Sequence, residues 1–122
     1  MKRVACRMPL ALKTMLRQVV TDDGYGGKGK SRWVREALVK LFEQDPDLMN
    51  VGVGDDLEVN DAEDSFSLSP ENEWAIDVAV GLIRSQYPRA EGVQSAIIRA
   101  AVRYRLRERV KKTVTAAVTA VN

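Results

Sequence analysis

Apolar and polar residues alternate at the start of the chain. In Lys2-Arg3-Val4-Ala5-Cys6-Arg7-Met8, Val4, Cys6 and Met8 fall on one side and Arg3, Ala5 and Arg7 on the other. A period of two predicts a β-strand with one buried face. Pro9 ends it and suits the first turn of a helix. Leu12, Met15, Leu16, Val19 and Val20 follow at spacings of three and four, which predicts an amphipathic helix stopped by Thr21-Asp22-Asp23-Gly24. After a glycine-rich loop over residues 24–29, Ser31 is placed to cap a second helix. On it Trp33, Val34, Ala37, Leu38, Leu41 and Phe42 share one face, and Asp45-Pro46 ends it.

The same order then returns. Asp64-Ser65-Phe66-Ser67-Leu68 alternates, with Phe66 and Leu68 inward. Ser69-Pro70-Glu71-Asn72-Glu73 combines a cap, a proline at the first position and acids in the first turn, all marks of a helix start. Trp74, Val78 and Leu82, joined by Ile76, Ala79 and Ile83, predict a third helix, broken by Tyr87-Pro88 and Gly92. Ser95 is placed to cap a fourth, with Ile98, Val102, Leu106 and Val110 in a row. Ser31-Arg32-Trp33-Val34-Arg35-Glu36-Ala37-Leu38 lies opposite Ser95-Ala96-Ile97-Ile98-Arg99-Ala100-Ala101-Val102 without a gap. Met8 aligns with Leu68 and Ser31 with Ser95, offsets of 60 and 64, so the second copy holds four more residues between strand and last helix. A repeated strand–helix–helix is the organising feature of the chain. Both tryptophans are expected in the core. Asp64 takes the inward place that Val4 has in the first copy, which predicts a frayed start to the second strand. The tail 113–122 either lengthens the last helix, offers a surface for self-association, or frays.

Charge divides the chain in three. The formal net charge is only +2. Residues 1–42 carry ten bases and three acids, residues 43–73 eleven acids and no base, and residues 74–122 nine bases and three acids. Two basic blocks held apart by an acidic one point to a polyanion partner, nucleic acid or an anionic membrane. The absence of histidine removes His-dependent acid–base, nucleophilic and metal chemistry. A single cysteine, Cys6, excludes an intrachain disulfide and a cysteine metal cluster. Apolar runs are short of a membrane span, and arginine stands where a signal peptide needs its apolar core. The expectation is a soluble, cytoplasmic protein without metal or cofactor. Its expected divisions are residues 1–42 as a first copy, 43–62 as an acidic linker, 63–112 as a second copy and 113–122 as a tail.

A polar-faced strand, a helix opening at proline, a short loop and then Ser-x-x-[Val/Ile]-Arg-x-Ala-[Leu/Val] resembles the ribbon-helix-helix family of the Arc and MetJ repressors. The resemblance covers residues 2–42 and 63–107. It implies a mainly α fold with a two-stranded antiparallel β-ribbon, two copies forming an intramolecular pseudo-dimer, similar to the TraY-type conjugation proteins. It also implies a non-enzymatic, sequence-specific binder of double-stranded DNA. Outward ribbon residues Arg3, Ala5, Arg7, Ser65 and Ser67 would meet base edges. The starts of the second helices, with Lys30, Ser31, Arg32, Gln94 and Ser95, would grip phosphates. Arginines on one strand and serines on the other imply an asymmetric site, stronger on the first copy's half. The implied roles are an accessory protein at a plasmid transfer origin, in a relaxosome with a relaxase or other protein, or a transcriptional repressor. Several copies on adjacent sites are then expected.

Two other functions compete. An antitoxin or adaptor would use the tail or the acidic linker on a protein partner, but here a second copy occupies the space of such an extension. Gly24-Tyr25-Gly26-Gly27-Lys28-Gly29-Lys30-Ser31 also satisfies the P-loop pattern of nucleotide-binding proteins. That pattern needs a buried strand before it and a parallel sheet around it, whereas residues 12–20 have helical spacing. A Walker-B-like run at 51–55 is interrupted by glycines and makes a poor strand. Arg99, Arg103, Arg107 and Lys111, spaced by four, are expected to form a solvated face. Cys6 is expected to be a small core residue.

Overall fold

Six elements follow one another as strand, helix, helix, twice over. A computed structural model describes residues 1–52 and 59–121. Its elements are β1 (Lys2–Met8), α1 (Leu10–Asp22), α2 (Lys30–Gln44), β2 (Ala62–Leu68), α3 (Pro70–Gln86) and α4 (Val93–Val121). Residues 53–58 of the expected linker, and with them the end of the run at 51–55, lie outside the described residues, as does Asn122. The described chain is mainly helical, with one sheet of two antiparallel strands. No helix among the described residues is long and apolar enough to cross a membrane.

β1 and β2 pair along their whole length, from Lys2 opposite Leu68 to Met8 opposite Ala62, with Ala5 opposite Ser65 at the centre. Their inward side chains, Val4, Cys6, Met8, Phe66 and Leu68, are buried. β2 begins at Ala62, so its start is not frayed. Asp64 does point inward and is buried, but Lys30 reaches it from α2 and forms an ion pair with it. Lys30 Nζ also lies 5.4 Å from the centre of the Phe66 ring. A paired carboxylate is tolerated where an unpaired one would be expelled.

The ribbon lies on two helices, and the connections cross. α2 packs against β2, α4 packs against β1, and α2 and α4 pack on each other. Trp33, Val34, Ala37, Leu38 and Leu41 of α2 meet Val93, Ile97, Ile98, Ala101 and Val102 of α4 and the underside of the ribbon in one core. Fully burying a side chain of this size contributes about 1.5–3 kcal/mol. Cys6 sits in this core, and burial, only partly offset by Ser95 and Arg99, pushes its thiol up to about 11.

Helix boundaries follow local chemistry. Ser69 caps α3 in a capping box with Asn72, and Pro70 opens the helix. Pro9 is the N-cap residue of α1 rather than part of its first turn. Gly29, not Ser31, is the N-cap residue of α2, and glycine is required there because a Cβ would collide with the Tyr25 carbonyl. α4 likewise begins before Ser95, after Gly92 at φ +63°. Both serines therefore fall inside the first turn, where their hydroxyls are free for another partner.

Four expected core positions turn outward. Met15 of α1 is half exposed. On α3 the buried row is Asn72, Ile76, Ala79 and Ile83, so Trp74, Val78 and Leu82 face solvent. α3 is apolar on both sides and only one side can meet the core. α4 stays helical through Val121, but from Val110 onward its side chains are exposed up to residue 120.

Candidate nucleic-acid interface

Alternation on the ribbon leaves one row of side chains facing away from the helices. Opposite pairs along it are Arg3 with Ser67, Ala5 with Ser65, and Arg7 with Glu63. Arg3, Ala5, Arg7 and Glu63 are exposed, and the two serines are partly so. The structure thus brings together all five expected base-contacting residues and adds Glu63. The two ends of the row differ. Arg3 Nη1 makes a long contact of 3.4 Å to Ser67 Oγ. Arg7 donates from Nε and Nη2 to the Asn60 carbonyl at 3.3 and 3.1 Å, and its Nη1 lies 3.8 Å from Glu63. Because the strands are antiparallel, each end is made by both copies. The asymmetry therefore runs along the ribbon, from an open Arg3 end to an occupied Arg7 end, rather than between the two copies.

The second helices hold the ribbon from its edges. Ser31 Oγ accepts the backbone N–H of Ser67 at 2.9 Å, and Arg35 Nη1 donates to the Ser67 carbonyl at 2.7 Å. On the other edge, Ser95 Oγ accepts the Arg7 N–H at 3.3 Å, and Arg99 Nη1 donates to the Arg7 carbonyl at 2.7 Å. An edge strand leaves such groups unpaired, and here a serine and an arginine four residues apart close them. Arg35 and Arg99 are absent from the expected site. The four-residue spacing predicts a solvated stripe that includes Arg99, but Arg99 is buried. Arg103 of that stripe is partly buried, while Arg107 and Lys111 are exposed. The signal was the repeated Ser-x-x-x-Arg at matching positions of the two second helices.

The expected phosphate-gripping residues lie at these helix starts with unequal freedom. The Lys30 ammonium is spent on Asp64. Ser31 and Ser95 hold the ribbon. Arg32 is exposed, 3.2 Å from Glu36 and stacked 4.9 Å from the Tyr25 ring centre. Gln94 is exposed. The first backbone bonds of α2 and α4 are Trp33 N–H to the Gly29 carbonyl and Ala96 N–H to the Gly92 carbonyl, each 3.0 Å. The N–H groups before them, together with the positive helix end, are the anion-binding features of both starts.

The glycine loop between α1 and α2 is pinned rather than open. Arg105 of α4 donates to the Tyr25 hydroxyl and to the Trp33 carbonyl, both at 2.7 Å, and lies 4.5 Å from the Trp33 ring centre. Arg109 donates to Asp23 at 2.9 Å, and Trp33 Nε1–H donates to the same carboxylate at 3.1 Å. Burial pushes the Asp23 carboxyl up, but these bonds overcome it and hold the group below its ordinary value. The P-loop pattern thus sits between two helices, next to a two-stranded antiparallel sheet, with its lysine paired to a buried acid.

No protein-family model, curated protein or solved structure matches this chain.

Proposed function

We propose that the chain is a sequence-specific, non-enzymatic binder of double-stranded DNA, built as a tandem ribbon-helix-helix pseudo-dimer. The observation that carries this is the pair of matching clamps, Ser31 and Arg35 on Ser67, Ser95 and Arg99 on Arg7. They join positions at the sequence offsets of 64 and 60, and each ties the second helix of one copy to the strand of the other. A pseudo-two-fold axis through Ala5 and Ser65 accounts for this and for the strand register. The arrangement sets the outward row between two helix starts, a shape suited to a ribbon in the major groove with flanking phosphates at α2 and α4.

In this mechanism Arg3 donates twice to a guanine edge, and Ser65 and Ser67 adapt to neighbouring bases. Backbone N–H groups at residues 30–32 and 93–95, with Arg32, bind phosphate and fix the register. Lys30 acts indirectly, by holding β2 in place. A cytoplasmic role as transfer-origin accessory protein or transcriptional repressor, with further copies or a relaxase as partners, follows from the same family resemblance. P-loop nucleotide chemistry is disfavoured by the engaged lysine and the antiparallel sheet.

Selection of bound duplexes from a random pool, followed by anisotropy titration against salt, tests the proposal. Arg3→Ala should lose preference for the selected duplex yet keep part of its salt-sensitive, non-specific affinity. Unchanged preference would remove the ribbon from the reading surface. A pool with no enriched sequence would count against specific DNA binding itself.

A further inference from the structure

Two apolar rows of identical spacing lie in solvent on this chain. On α3, Trp74, Val78 and Leu82 are 71%, 44% and 53% exposed. With Phe42, Pro46 and Leu48 they border a groove of about 190 Å³. On α4, Val110, Val114 and Val118 are 61%, 56% and 54% exposed. The chain cannot join its own rows. α4 is one continuous helix whose first turns are locked in the core, so its extension does not fold back onto α3.

The two rows carry opposite charge. Exposed acids flank the groove: Glu43 beside Phe42, Asp47 beside Pro46, and Glu71 and Asp77 three residues either side of Trp74. Exposed bases flank the α4 row: Arg107 three residues before Val110 and Lys111 three before Val114. Residues three apart on a helix share a face, so Glu71 and Asp77 border the α3 row and Arg107 and Lys111 the α4 row, while Glu43 and Asp47 are only chain neighbours of groove residues. Each row spans nine residues, a rise of about 12 Å along the helix. Rows spaced by four are the ridges that interdigitate when two helices cross at about 50°.

We propose that the α4 extension of one copy lies in the α3 groove of a second copy. Trp74 then fills between Val114 and Val118, while Arg107 and Lys111 approach the acids around the groove. Covering gives the valine- and threonine-rich extension the packing that it lacks within its own chain, where its intrinsic helix preference is weak. The contact joins two different surfaces, so it either closes by reciprocal exchange or runs on from copy to copy. It uses neither the ribbon nor the helix starts, so it does not depend on the DNA-binding proposal.

Sedimentation equilibrium of the full chain without DNA tests it. Three forms are compared: the unaltered protein, Trp74→Lys, and Val114→Asp with Val118→Asp. All three positions are exposed, and circular dichroism checks that each form is folded. The unaltered protein should self-associate, with a blue shift of Trp74 emission as concentration rises. Each variant alone should associate at least about tenfold more weakly. An equimolar mixture of the two variants should form pairs and no larger species, because one keeps an intact extension and the other an intact groove. Association surviving Trp74→Lys would mean that extensions pair with each other. Association surviving the extension variant would mean that α3 faces pair with each other. Either result, or an unaltered protein that stays monomeric, overturns the proposal.

Discussion

The hydroxyl of Ser31 accepts the backbone N–H of Ser67 at 2.9 Å, joining the first turn of α2 to the strand of the other copy. Arg35 takes the carbonyl of the same residue, and Ser95 and Arg99 repeat the arrangement on Arg7. On each outer edge of the ribbon one residue, Ser67 or Arg7, is thereby held through its backbone by side chains from the helices beneath it. A slip of one residue would break both clamps and turn every inward side chain out. The clamps therefore fix which residues the ribbon presents, which links stability to the surface proposed to read DNA.

Ser31→Ala and Ser95→Ala should each lower stability by about 1 kcal/mol, the usual net worth of a hydrogen bond. Arg99→Ala should cost about 1.5–3 kcal/mol, since its guanidinium is buried and serves a charge-assisted bond. Urea midpoints at constant slope report these losses. Ser31→Ala with Arg35→Ala should be non-additive, because both act on Ser67. Ser31→Ala with Ser95→Ala should add, because they act on opposite edges.

The Lys30 and Asp64 pair should be costly to break and inexpensive to replace. Asp64 is buried, Lys30 is largely so, and one Asp64 oxygen finds no hydrogen-bond partner among the described residues. Lys30→Ala strands a buried carboxylate and should cost about 3 kcal/mol. The double change Lys30→Gln with Asp64→Val, which installs the residues of the matching positions Gln94 and Val4, should be close to neutral. Chemical denaturation of the unaltered protein and the two variants checks this, and a double variant no more stable than the single would refute it.

Much of this was legible in the chain. Period-two runs marked both strands, and Ser69-Pro70 marked the start of α3. What misled was a partner distant in sequence. Ser31 and Ser95 look like caps because a hydroxyl ahead of an apolar row usually is one. Their partners lie 36 and 88 residues away. Asp64 looked like a break in the inward row because its counter-ion comes from α2. Trp74 looked like core because α3 is apolar on both sides, and only packing selects the row through Ile76, Ala79 and Ile83. The five ribbon residues were found because alternation alone decides their face. Glu63 is not marked by the pattern, because the strand begins two residues before its clear alternation.

Glu63→Gln should strengthen DNA binding. Glu63 faces Arg7 across the ribbon and places a negative charge where phosphates and base edges would approach. Removing it should raise affinity by about 0.2–1 kcal/mol, the range of an exposed charge pair, and most at low salt. Anisotropy titrations at several salt concentrations measure this. Weaker binding by Glu63→Gln would show that Glu63 accepts from a base, as a carboxylate can from cytosine.

Stability should fall at alkaline pH through Cys6. Its ordinary value of 9.0 is raised to about 11 in the folded chain, first by burial, with Ser95 and Arg99 opposing. Between these values the unfolded chain releases the thiol proton while the folded chain keeps it. The native state then holds more protons, so stability declines as pH rises. The contribution is fully present below about pH 9 and is lost by about pH 11, at about 1.4 kcal/mol per unit and about 2–3 kcal/mol in all. Cys6→Ala lowers stability at every pH by leaving a cavity, so the slopes are compared rather than the values. Urea midpoints across this window should decline more steeply for the unaltered protein than for Cys6→Ala. Parallel declines would place the alkaline loss in other groups.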